Sequence, residues 1–169
     1  GGGLEQPHSL VVDDQGNLYG AGRSNSSNFP VINNGGLAGS GYDIVVFKLN
    51  STGGLLASRK IGGSNDDGVN INANRTQSSL QRNYGDDGRS EVILDGSGNV
   101  LVASCTQSAN FPGTAGFFQP AFGGGTQDGL LMKLNSSLST VLFTSYLGGS
   151  GNDAAYVLSI GPGGNIYVG

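Results

Sequence analysis

The segment of this chain whose residue types and spacing come nearest to a ligand set is Gly148-Gly149-Ser150-Gly151-Asn152-Asp153. Turns of this composition bind Ca²⁺ when tandem copies follow one another, so that successive turns pool carboxylates and carbonyls around each ion. The related segment Gly62-Gly63-Ser64-Asn65-Asp66-Asp67 stands a whole repeat away and is one glycine short, which rules such pooling out. An isolated Ca²⁺ held by Asp66, Asp67 and Asp153 stays open beside a plainer reading, in which these are glycine turns that end strands.

Catalytic chemistry is poorly supplied. The chain has one His and one Cys, so a Ser-His-Asp or Cys-His arrangement has one possible imidazole, and zinc sites built from Cys and His clusters are excluded. His8 lies just before an apolar strand and reads as a packed or rim residue, Cys105 as a small hydrophobe. The twelve acidic residues fall mostly in turn motifs, and no pair stands out for glycoside hydrolysis. Asp13 and Asp95 precede tight turns and suit Asx-turns. Asp43 and Asp128 open one strand type and Lys48 and Lys133 recur near its end, which predicts side-chain contacts between repeats. No catalytic residue and no cofactor is expected, Ca²⁺ being the one ligand left open.

The elements that must position these residues are β-strands. Of 169 residues 32 are glycine, far above the usual 7%, and interior glycine costs a helix about 1 kcal/mol per position. Hydrophobic residues make up 36% of the chain and arrive in short runs, so it folds as all-β and is not disordered. Charged residues are 12% and the net charge is -4, which argues against nucleic acid as a partner. No apolar run approaches the roughly 20 residues of a helical membrane span.

Internal repeats set the architecture. Gly16-Asn17-Leu18-Tyr19 returns as Gly98-Asn99-Val100-Leu101 and as Gly164-Asn165-Ile166-Tyr167. Asn28-Phe29-Pro30 returns as Asn110-Phe111-Pro112, and DIVVFKLN from Asp43 returns as DGLLMKLN from Asp128. Gly62-Gly63-Ser64 returns as Gly148-Gly149-Ser150. The spacing from Asn99 to Asn165 is 66 residues and from Asn17 to Asn99 is 82, so the first interval carries extra chain. Within a unit the apolar runs predict four antiparallel strands, a to d, at 9–13, 18–22, 44–49 and 55–61, and again at 92–94, 100–104, 130–134 and 141–147. Four strands per repeat is the pattern of a β-propeller blade. Phe29 and Phe111 are expected as buried anchors of the b–c loops.

The order GN-(Y/V)-V, NFP, D-x-x-x-x-K-L-N and Y-L-G-G-S-G-x-D resembles the bacterial seven-bladed β-propeller repeat family of secreted and cell-surface proteins. Arg59-Lys60-Ile61 departs from Ser145-Tyr146-Leu147, and Gly161-Pro162 replaces the aspartate turn. The resemblance implies a scaffold and brings no catalytic residues with it. On this reading residues 1–169 belong to one propeller domain: a blade end at 1–3 with Gly2-Gly3 matched to Gly148-Gly149, a blade at 4–63, an insertion loop at 64–90, a blade at 91–149 and the start of the next at 150–169. About two and a half blades are too few to close a ring, so the segment is expected to need the remaining blades of a larger parent.

Strand parity puts every long connection on one edge: the b–c loops 23–42 and 106–127 and the d-to-a connection 64–90. Arg75, Arg82, Tyr84 and Arg89 make the last of these a polar, partly cationic candidate contact loop, with a tolerated surface insertion as the bland alternative. Sequons at Asn25, Asn50, Asn74 and Asn135 matter only where N-glycans are made. The expected function is a non-catalytic extracellular or cell-surface module for structure or protein interaction, with another surface protein or a glycan as partner. The alternative is a carbohydrate-binding propeller or the propeller part of a polysaccharide-active enzyme, weakened by the absence of Trp and a count of six Tyr.

Overall fold

A computed structural model describes residues 1–32, 39, 41–70, 90–113 and 115–169. Among the described residues all ten elements are β-strands: β1 (Glu5–Val12), β2 (Leu18–Ser24), β3 (Asp43–Leu49), β4 (Leu55–Ile61), β5 (Glu91–Leu94), β6 (Val100–Thr106), β7 (Asp128–Leu134), β8 (Val141–Leu147), β9 (Leu158–Ile160) and β10 (Ile166–Val168). They form two four-stranded antiparallel sheets, β1-β2-β3-β4 and β5-β6-β7-β8, and a two-stranded sheet of β9 and β10. None of the described residues forms a helix that is long and apolar enough to cross a membrane.

The sheets stack like adjoining blades. Their first strands lie side by side, β1 against β5 and β5 against β9. One face of the first sheet, built from Val11, Tyr19, Ala21, Ile44, Val46, Ala57 and Ile61, packs on one face of the second, built from Val92, Val100, Val102, Leu130, Met132 and Tyr146. On both faces the apolar residues recur at the period of two that puts alternate side chains on one side of a strand, interrupted in the first sheet by Arg23, Lys48 and Arg59. Burial of this layer supplies the main driving force, roughly 1.5–3 kcal/mol per large side chain.

Strand β1 starts four residues earlier than the repeat pattern predicts and stops before Asp13, because Asp13 is consumed by the turn. Its carboxylate accepts the N–H groups of Gln15 (3.0 Å) and Asn17 (2.8 Å), and Asp95 accepts those of Ser97 (2.8 Å) and Asn99 (2.9 Å). In the third copy Gly161 keeps the two main-chain bonds, donating to Asn165 O and accepting from Gly164, each at 2.9 Å. Gly16, Gly98 and Gly164 all have φ near +75°, a left-handed position that glycine adopts without strain.

The outer strands β4 and β8 carry a strip of the b–c loop. Thr144 N–H donates to Gly113 O and Tyr146 N–H to Gln119 O, each at 3.1 Å. Ser58 Oγ donates to Pro30 O and Thr144 Oγ1 to Pro112 O, so the repeated NFP segment covers the sheet edge the same way in both blades.

Candidate functional site

At the edge where the long connections emerge, each junction between sheets is fastened by a carboxylate. Asp67 follows β4 and is fully buried; its Oδ2 accepts the N–H of Gly63 at 2.7 Å and the hydroxyl of Ser108 at 3.1 Å, and its Oδ1 accepts the hydroxyl of Thr106. Glu5 does the same for the first sheet, accepting from Ser24 (3.2 Å) and from Ser26. The alignment of the two carboxylates corrects the sequence reading of residues 1–3 by two positions. Gly2 and Gly3 bond to Asn28 and Ser26 as Ser64 and Asn65 bond to Asn110 and Ser108, so Gly1 is the residue that corresponds to Gly63 and Gly149.

Asp66, Asp67 and Asp153 do not converge on one point. Asp66 turns its Oδ1 to the N–H of Tyr42 (2.9 Å) and its carbonyl to the N–H of Gln107 (3.0 Å). Asp153 belongs to the next junction, where its Oδ2 accepts from Gly149 at 2.8 Å as Asp67 accepts from Gly63. Among the described residues no group of three or more His, Cys, Asp or Glu could hold a metal ion. Arg75, Arg82, Tyr84 and Arg89 lie outside the described residues, as does most of the 64–90 connection.

The structure instead pairs two carboxylates per junction. Asp43 and Asp67 both approach Gly62 so closely that a Cβ there would collide with them; at Gly148 a Cβ would collide with Asp128 and lie 3.1 Å from Asp153 Oδ2. In the first blade Lys60 Nζ lies 2.8 Å from Asp43 Oδ2 and donates to Ser26 O at 3.2 Å. In the second, Tyr146 replaces Lys60 and its hydroxyl donates to Ser108 O at 2.8 Å while accepting the N–H of Phe111 at 2.9 Å. Burial pushes the Asp67 carboxyl up to about 6, with the bonds from Thr106, Gly63 and Ser108 opposing and the charge of Asp43 adding to the rise. Burial raises Asp128 as well, and Asp153 adds to it.

The contacts expected between repeats for these aspartates and lysines fall mostly within one blade. Lys133 Nζ is 2.7 Å from Asp95 Oδ2 inside the second blade, and Lys48 lies over the Tyr19 ring, 4.7 Å from its centroid. Burial alone would raise Asp95; Lys133 and the donors of the turn outweigh it and hold the carboxyl below the usual range. Arg59 does cross: its guanidinium donates to Leu138 O (3.2 Å) and Ser139 O (2.8 Å) of the second blade's c–d turn. Phe111 is buried as expected, whereas Phe29 is half-buried.

A second set of inter-blade bonds runs between the innermost strands and was not read from the sequence. Val92 N–H donates to Ser9 Oγ at 3.2 Å, and Leu158 N–H donates to Glu91 Oε2. Ser9 and Glu91 occupy the same place in β1 and β5, and only the repeat spacing could have flagged them. His8 Nδ1 meets Ser90 Oγ at 3.2 Å beside a cavity of about 590 Å³ lined by both blades and Tyr156. The Cys105 thiol is pushed up to about 11 by burial, which makes it inert as a nucleophile. Ser64, Asn65, Asp66, Gln107 and Thr126 line a cleft of about 410 Å³ where the loops of adjoining blades meet.

Residues 2–30 match the family model described as SBBP, beta-propeller repeat. The matched stretch spans the junction residues, β1, its turn, β2 and the NFP segment, and the match bears out the resemblance to a β-propeller repeat family. Comparison with curated proteins gave no match. The chain is an all-β, incomplete propeller of four-stranded antiparallel blades.

Proposed function

We propose that this propeller module is a non-catalytic extracellular or cell-surface scaffold whose long-loop edge meets a partner, in the first instance another surface protein. The observation that carries the reading is the division of labour between the two edges. One edge holds short turns closed by their own aspartate and asparagine side chains. The other holds the b–c and d-to-a connections, whose described residues 64–65 and 107–110 are stitched to one another across blades. Ser64 donates to Asn110 at 2.9 Å, Asn65 to Ser108 at 3.0 Å and the Asn65 amide to Gln107 O at 2.9 Å. Loops pinned to a rigid sheet stack present a fixed surface, and ordering it on binding costs little. A scaffold role also fits the chemistry: the single imidazole is engaged beside Ser90 and the single thiol is buried.

A photo-crosslinking residue at position 65 or 126, displayed on cells that export the protein, should give protein adducts. The same residue at 51 or 136, on the short-turn edge, should not. Equal yields from both edges would sink the loop-edge assignment, and turnover of ester, peptide or glycoside substrates by the purified chain would sink the non-catalytic one.

A further inference from the structure

We propose that the second blade binds a divalent cation of Ca²⁺ size through Asp128 and Asp153, beside the glycine turn at 148–149, in the charge role that Lys60 fills in the first blade. The two blades serve as each other's control. Asp128 is fully buried; its Oδ2 accepts the N–H of Gly123 at 2.6 Å, but its equally buried Oδ1 has no hydrogen-bond partner. Asp43, at the same place in the first blade, has its Oδ1 on Gly39 N–H at 3.0 Å and its Oδ2 in an ion pair with Lys60 at 2.8 Å. Tyr146 replaces that lysine, and its hydroxyl is already committed to Ser108 and Phe111. A phenol brings no positive charge, so a buried carboxylate oxygen is left uncompensated, which is costly.

A second carboxylate reaches the same glycine. Asp153 Oδ2 stands 3.1 Å from where a Gly148 Cβ would be, on the side of Gly148 that Asp128 Oδ1 crowds. The carbonyls of Gly148 and Gly149 turn toward Gly123, 2.9 Å and 2.5 Å from its Cβ position, next to the N–H that holds Asp128. The turn itself, residues 149–152, is exposed and offers an entry path. Two carboxylates with main-chain carbonyls are a hard donor set. Its irregular geometry suits Ca²⁺ better than Mg²⁺, which demands a near-ideal octahedron. The proposal is independent of which edge meets a partner.

The test is a melting and calorimetric titration of the EDTA-treated chain with CaCl₂, with MgCl₂ and NaCl at matched ionic strength as further arms. Ca²⁺ at about 100 times Kd should raise Tm by roughly 5–10 °C with a binding heat of one ion per chain. Asp128→Asn, which keeps the shape, should abolish both responses while its circular dichroism stays native. Asp153→Asn serves as the second variant and should weaken binding at least tenfold. No heat and no rise in Tm with Ca²⁺, an equal rise with MgCl₂ or NaCl, or a full Ca²⁺ response in both variants would overturn the proposal.

Discussion

The first and second blades share a sheet order, a turn chemistry and a carboxylate clasp, yet they surround the same buried acid differently. The first spends a lysine on Asp43, and the second spends a tyrosine on packing. Tyr146 contributes an edge-on contact to Phe122 at 5.7 Å between centroids and fixes the N–H of Phe111, whereas Lys60 contributes a cation and the same carbonyl contact. The difference teaches that the repeat conserves a geometric job, holding the b–c loop to strand d, while the residue that does it is free to be charged or aromatic. Phe111 sits in the core between the two sheets, whereas Phe29 is half-exposed.

That comparison can be broken first at the aromatic anchors. Phe111→Ala should cost about 3–5 kcal/mol in denaturant unfolding, as buried phenylalanines do, and Phe29→Ala less than half as much. Equal losses would mean that both loops are anchored alike. The lysine side is tested by Lys60→Met, which strands Asp43 and should cost about 3–5 kcal/mol. Adding Asp43→Asn should recover most of it, and failure to recover would show that Lys60 acts by packing its stem.

A smaller, pH-dependent effect belongs to Asp67. Its folded value of about 6 lies above its ordinary 3.8, so the native state binds this proton more tightly than the unfolded chain does. Its contribution to stability is therefore fully present below about pH 4 and is lost as pH rises through about 6, by about 3 kcal/mol. Asp67→Asn should flatten that part of the curve relative to the parent. An unchanged slope between pH 4 and 6 would mean that the three donors offset burial completely. The least effect is expected at the short-turn edge, where Asp95→Asn should lose about 1 kcal/mol with Lys133 left unpaired. Asp13→Asn should lose less, because Lys48 rests on Tyr19 in that blade.

The repeat motifs were enough to place the eight strands of the two full blades to within four residues. A β-strand needs only a short alternating run between turn residues, and both are local properties of the chain. Strand d came out at the same bounds in both blades, 55–61 and 141–147. The Asx-turns at Asp13 and Asp95 were legible for the same reason, since each bonds atoms no more than four residues away. The candidate calcium triad was not legible as a site, because Asp66, Asp67 and Asp153 share a motif while the ligands of any one junction come from different strands.

What the sequence determined by itself is therefore the all-β class, the repeat, the turns and the edge from which the long loops leave. Tertiary structure alone decided the two-residue correction of the chain start against Asn28 and Ser26, and the pairing of Asp128 with Asp153 at Gly148. It also decided the reach of Arg59 to a turn 79 residues on, the Ser9 and Glu91 bonds along the inner strands, and the exchange of Lys60 for Tyr146. The physical reason is distance along the chain. Local alternation fixes which face a side chain takes, but which far partner meets that face depends on how whole sheets stack, and that is set by burial of the layer between them.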